Sequence, residues 1–263
     1  MKKTFLCAVA FCLLGCSTVP ITGRRQLSFI PQGELLALSD QSYREVLSKA
    51  TVVNNPATAN AVSVVGGRVA ASAEAFMRDS GMENELKNYR WEFKVIQDDK
   101  TVNAFCMPGG KIVVYTGILP VTQDANGLAA VMSHEVAHAI ANHGGERMSQ
   151  QLVLQAGGLG LSQLMKSKPA QARDILLQVY GAGSQYGVLL PYSRSHESEA
   201  DRIGLILMAR AGYDPRTAVS FWERMNRIGG AKPPEILSTH PATSRRIADI
   251  QKHLPEALTY YKG

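Results

Sequence analysis

The sequence predicts an α+β protein, mostly helical, in which a small antiparallel sheet packs against one central helix. Three observations carry this reading. Helical apolar periodicity occupies residues 34–79 and returns from Leu128 almost to the end; three short β-rich runs lie between; and 45% apolar residues over 263 positions can fill one core. Residues 34–263 therefore read as a single domain.

The chain opens with Lys2 and Lys3 ahead of an apolar run from Phe5 to Leu14, too short for a permanent membrane span. Residues 1–15 accordingly read as a signal peptide. The run ends in Leu13-Leu14-Gly15-Cys16, similar to a bacterial lipobox, so Cys16 is the expected site of lipidation. Residues 16–33 are rich in turn formers without helical period and read as a tether. Helices are expected over 34–50 and 57–79, with Asn54-Asn55-Pro56 as the break between them. Strands are expected over 90–96, 102–107 and 112–115, with Pro108-Gly109-Gly110 turning the chain between the last two. The stretch 150–190 is apolar and glycine-rich, but charges and glutamines interrupt it below spanning length. It should pack on the protein or lie against a membrane surface.

Composition removes several classes. With Cys7 and Cys12 in the signal and Cys16 lipidated, Cys106 is the one remaining thiol, which excludes an intrachain disulfide and a thiolate zinc site. The formal charge of +6 comes from scattered basic residues rather than a stripe, so no nucleic-acid partner is expected.

The chemistry concentrates in His134-Glu135-Val136-Ala137-His138, within a breaker-free segment, 128–142, expected to stop at Gly144-Gly145. At helical spacing the two histidines lie about 40° apart, one turn above each other. Two imidazoles so placed can grip one Zn²⁺, which takes three protein ligands in a catalytic site and leaves a fourth position for water. Glu135 lies about 60° round from His138, within reach of that water but outside the ligands, and is the candidate general base. Leu128, Met132, Val136 and Ile140 form the apolar stripe, and His143 falls in it, so His143 should support the site rather than bind metal. The long metzincin form is excluded, because it would need glycine at Ala141 and histidine at Gly144. A third ligand must come from elsewhere. Ser195-His196-Glu197-Ser198-Glu199-Ala200-Asp201 opens a second helix on which Glu197 and Asp201 share a face while Glu199 lies about 160° from Glu197, so only one glutamate can reach the metal. His196 is a rival ligand.

The His134–His138 motif followed by Glu197-Ser198-Glu199-Ala200-Asp201 resembles the HExxH and ExxAD pair of the HtpX and CaaX-prenyl-protease family of zinc peptidases, which are gluzincins. The likeness extends to Val19-Pro20-Ile21-Thr22-Gly23-Arg24, to Asn103-Ala104-Phe105 and to Ser238-Thr239-His240-Pro241 with Arg246-Ile247, covering most of residues 16–253. It points to the lipoprotein or mitochondrial-Oma-type branch, which lacks the transmembrane helices of integral members. The resemblance implies an HExxH zincin-like catalytic domain holding one Zn²⁺ per chain on His134, His138 and Glu197. Asp201 would orient a ligand histidine.

His240, in a proline-flanked loop, is a candidate for two roles: stabilising the oxyanion, or filling the open zinc position in a latent enzyme. A structural loop histidine is the third reading, and Arg246 could assist either active role. Substrate is expected as an added strand at the sheet edge near residues 112–115. The implied activity is quality control of unfolded or misassembled envelope polypeptides. Ser17 lacks the aspartate that retains lipoproteins at an inner membrane, which places the protein at the outer membrane facing the periplasm. The rival class is a zinc-bearing periplasmic chaperone or outer-membrane assembly factor whose proteolysis is suppressed or incidental.

Overall fold

A computed structural model describes residues 16–19, 22–155, 160–180, 193–228, 235–241 and 243–263. The expected signal peptide lies outside them.

Two helices precede the sheet, as the periodicity requires. Helix α1 spans Gln32–Lys49 and α2 spans Pro56–Asp79. Asn55 caps α2: its side-chain oxygen accepts from the amides of Ala57 and Thr58, and Pro56 fills the first turn, where no amide donor is missed. Strands β3 (Glu92–Ile96), β4 (Ala104–Met107) and β5 (Lys111–Tyr115) follow. Their order is β3-β5-β4, with β5 parallel to β3 and antiparallel to β4. The sheet is therefore mixed, which corrects the wholly antiparallel expectation. After β3 the chain passes beyond the next position in the sheet, lays down β4, and returns through Pro108-Gly109-Gly110 to insert β5 in the gap. Gly109 and Gly110 take φ of 84° and 82°, and a Cβ on Gly110 would collide with the Trp91 ring.

Helix α3 (Ala125–Ile140) starts at Asp124, whose carboxylate accepts from the Gly127 amide. It packs against α2, β4 and α7 (Arg194–Arg210). A close approach is at Gly204 of α7, where a Cβ would lie 3.1 Å from the His134 backbone. A side chain there would press on the α3 backbone, which would have to give by a few tenths of an ångström. Helix α3 ends earlier than expected: Asn142 takes a left-handed φ of 56° and α4 (His143–Gln155) begins at once. Gly144 and Gly145 lie inside α4 rather than at a helix terminus, with Tyr180 and the Asn142 side chain standing where their Cβ atoms would be.

Helices α5 (Leu161–Ser167) and α6 (Pro169–Val179) join α1, β5 and α4 in a second apolar cluster beside the main one. The described part of the 150–190 stretch thus packs on the protein. Helices α8 (Thr217–Arg227), α9 (Glu235–Thr239) and α10 (Ser244–Leu258) complete the fold. Among the described residues, no helix is long and apolar enough to cross a membrane.

The N-terminal segment differs from the tether expected over 16–33. Strand β1 (Cys16–Thr18) pairs antiparallel with β2 (Arg25–Leu27), Val19 is fully buried, and residues 22–29 lie along α4. Its described residues form a docked hairpin where a tether was expected.

Candidate metal centre

Three separate elements deliver the site. Helix α3 presents His134, Glu135 and His138; α7 presents Glu197 and Asp201; and the short α9 is followed at once by His240. Arg246 enters from the first turn of α10, whose cap is Thr243. All seven side chains are buried.

The ring nitrogens and a carboxylate converge. His134 Nε2 and His138 Nε2 lie 3.0 Å apart, and His240 Nδ1 lies 3.2 Å from His134 Nε2 and 2.9 Å from Glu197 Oε1. Glu197 Oε1 is 3.3 Å from His138 Nε2, and Glu197 Oε2 is 3.6 Å from His134 Nε2. Ligand atoms from all four residues fit within 4.8 Å of one another. A tetrahedron with zinc bonds of about 2.0–2.1 Å has edges of about 3.4 Å, which these separations bracket. Three imidazoles and a carboxylate form a donor set suited to zinc, and the residues fit it.

Electrostatics favours His138 and Glu197 as donors. Burial drives the His138 pKa well below that of free histidine, keeping its ring neutral with a lone pair to donate. Burial alone would raise Glu197, but Arg246 and His240 outweigh it and hold the carboxylate ionised. Burial also raises Glu135, whose Oε1 has no hydrogen-bond partner and lies 3.5 Å from His240 Nε2. A carboxylate whose pKa is raised by burial, beside the converging nitrogens, is poised to exchange a proton.

Behind the four sits a supporting layer. Asp201 lies 2.9 Å from His134 Nδ1, which leaves Nε2 to face inward. Burial and the Arg246 charge oppose protonation of His134, yet Asp201 and Glu197 raise its pKa to about 9. Arg246 donates through Nε and Nη2 to the two Asp201 oxygens at 2.8 Å and pairs through Nη1 with Glu197 at 2.8 Å, while its guanidinium stacks 3.6 Å from the Trp222 ring. One cation thus pairs with two buried carboxylates.

His143 Nδ1 lies 2.9 Å from His138 Nδ1, and its Nε2 lies 2.7 Å from Glu199. Burial lowers the His143 pKa to about 4. His196, the rival ligand, points elsewhere: its ring stacks on His143 and its Nε2 meets Glu146 at 3.0 Å. Sequence reasoning missed Glu146, Arg24 and Trp222. Arg24 belonged to a segment read as a tether, and nothing in helical periodicity singles out Glu146 or Trp222.

An HExxH helix, a second-helix glutamate and a dense polar layer behind them define a metal centre of the zinc-peptidase type. Residues 64–254 match peptidase family M48, a zinc-dependent family, and the chain belongs to it. Similar proteins include mitochondrial metalloendopeptidase OMA1 of Schizosaccharomyces pombe, 38% identical over 251 residues covering 91% of this chain and 66% of that protein. Human metalloendopeptidase OMA1 is 34% identical over 179 residues, covering 66% of this chain and 34% of its own length. The β-barrel assembly-enhancing protease of Escherichia coli K12 is 29% identical over 240 residues, covering 89% and 46%. The chain spans between about a third and two thirds of these relatives. The Oma-type resemblance read from the motifs stands.

Proposed function

We propose that this chain is a zinc metalloendopeptidase anchored in the bacterial cell envelope, where it hydrolyses misfolded or unassembled envelope polypeptides. The observation that carries the peptidase reading is the convergence of His134, His138 and Glu197 with the buried Glu135 carboxylate beside them. Zinc, when bound there, supplies Lewis acidity, lowering the pKa of water and polarising a carbonyl. Glu135 accepts the water proton and returns it to the leaving amine. Asp201 holds His134 in the tautomer that binds through Nε2, and Arg246 keeps Asp201 and Glu197 charged and in place.

His240 is assigned as the fourth ligand of a latent state. Its Nδ1 already lies among the other donor atoms. In that position it occludes the place that water needs, and an outward movement of the loop after α9 would open it. The oxyanion role is the competing assignment. Turnover of His240→Ala on an unstructured polypeptide separates them: a rise supports the cap, and a fall of about 10² to 10³ at unchanged zinc supports the oxyanion donor.

Substrate is assigned to β4 as an added antiparallel strand. Residues 112–115, the edge expected from sequence, form the middle strand of the sheet, whereas β4 is the outer strand and packs directly on α3. Pairing through backbone groups selects extended, unfolded segments with little sequence preference. The envelope assignment rests on the lipobox-like segment ending at Cys16 and on the name of the Escherichia coli relative. A chaperone or assembly factor with suppressed cleavage is the second reading, favoured by the occluding position of His240. Incubating the purified protein with an unfolded outer-membrane polypeptide, with and without chelator and beside Glu135→Gln, distinguishes them. Chelator-sensitive fragments absent in the variant support the peptidase, and undiminished substrate with equal binding by both proteins rejects it.

A further inference from the structure

We propose that Arg24 is a positioning residue for the zinc ligand His138, acting through Glu199 and His143, so that docking of the N-terminal hairpin sets how tightly the centre holds its metal. The proposal rests on the metal-centre reading above. It begins with a continuous chain of contacts. Arg24 Nε donates to Glu199 Oε2 at 2.8 Å; the same oxygen lies 2.7 Å from His143 Nε2; and His143 Nδ1 lies 2.9 Å from His138 Nδ1, the far side of the ring whose Nε2 faces the metal donors. Thr22 adds a hydroxyl donor to the other Glu199 oxygen.

The direction of every proton in this chain is determined by its ends. A His138 that offers its Nε2 lone pair to a metal must carry its proton on Nδ1. His143 Nδ1, at 2.9 Å, is placed to accept that proton, which leaves the His143 proton on Nε2. Nε2–H then donates to the Glu199 carboxylate, an acceptor on both oxygens. The opposite tautomers would place two lone pairs, or two protons, against each other at one link. Glu199 therefore fixes the metal-binding tautomer of His138 from two side chains away, and it does so only while its carboxylate is held at that spot.

Arg24 holds it. Its guanidinium reaches Glu199 through Nε and Glu146 Oε2 through Nη1 at 2.9 Å, bridging two helices, and Glu146 is steadied in turn by His196 Nε2 at 3.0 Å. The hairpin that presents Arg24 is closed by amide donation from Val19 to the Arg24 carbonyl and from Gly23 to the Val19 carbonyl, each at 2.8 Å, with Gly23 at a φ of 72° that favours glycine. Val19 is fully buried, which plugs the hairpin into the body. The segment nearest Cys16 is thus wired to the metal site by directional bonds that run from half-buried Arg24 to the buried His143–His138 pair.

The test measures zinc dissociation constants by chelator competition, the visible absorption of the Co²⁺-substituted protein and the thermal midpoint, on the full chain and on Arg24→Ala, Arg24→Lys, Glu199→Gln, Thr22→Val and Glu197→Ala. Loss of a group that orients a metal-bound histidine costs about 10- to 100-fold in affinity. That loss is expected for Arg24→Ala and Glu199→Gln, together with shifted Co²⁺ bands. Arg24→Lys should recover little, since a single ammonium cannot bridge two carboxylates as the planar fork does. A lower thermal midpoint with wild-type zinc affinity and unchanged Co²⁺ bands in both Arg24→Ala and Glu199→Gln overturns the proposal. Should Arg24→Ala fail to fold, Glu199→Gln and Thr22→Val carry the same comparison. Wild-type affinity in Glu197→Ala would overturn the metal centre itself, an outcome distinct from failure of the relay.

Discussion

Single side chains at this centre fall into groups that a substitution can separate. Glu135→Gln should keep its zinc and lose at least about 10² in peptide hydrolysis, because the carboxylate stands outside the donor set and general-base help contributes roughly 10² to 10⁴. Metal analysis beside a turnover assay checks this, and a metal-free variant would reject the role. Glu197→Ala should lose stoichiometric zinc, whereas Glu199→Gln should still load when zinc is supplied in excess. Equal zinc content in those two proteins would place the wrong glutamate at the metal. Arg246→Met removes the cation shared by Asp201 and Glu197 and leaves two buried carboxylates without their partner. A loss of roughly 3–5 kcal/mol in unfolding free energy is expected, read from denaturant titration with and without bound zinc. His134, Glu135 and His138 were legible in the sequence because helical spacing alone puts them on one side of a helix. Arg24 and Glu146 were not, since their meeting depends on a hairpin folding back across the molecule.

Among elements, the contact between α3 and α7 decides whether the two halves of the donor set meet. It depends on Gly204, which passes against the His134 backbone. Gly204→Val should cost about 1–3 kcal/mol through overpacking and push Glu197 away from the histidines. Thermal unfolding and zinc content should therefore fall together; a protein that loses stability while retaining full zinc would show that α7 can shift without moving Glu197. The helices and strands were legible from periodicity and turn residues, because both signals are local. Strand order was not. Whether β5 lies beside β3 or at an edge depends on which faces the helices cover, and the alternation of apolar residues is blind to that. The end of α3 differs from expectation for a related reason: glycine marks both a helix terminus and a place where another side chain approaches closely, and at Gly144 the second cause applies, with Tyr180.

For the molecule as a whole, attachment and catalysis are expected to be separable by experiment. Cys16→Ser should move the body from the membrane to the soluble fraction, since stable anchoring needs more than one acyl chain. Retention of the variant in washed membranes, or wild-type co-sedimentation with inner-membrane markers, would count against the lipoprotein assignment. Finally, the donors of the centre are far apart along the chain, His134 and His240 being separated by 106 in sequence and Glu197 and His240 by 43. An ion gripping all of them closes loops of that length, and loop-closure entropy rises with the logarithm of the number of residues enclosed. The metal would then act as a reversible cross-link on the conformational freedom of the C-terminal third, binding folding and activation into one equilibrium. Releasing His240 to admit substrate would slacken α9 and the approach to α10, so an awakened enzyme should exchange its amide hydrogens fastest there.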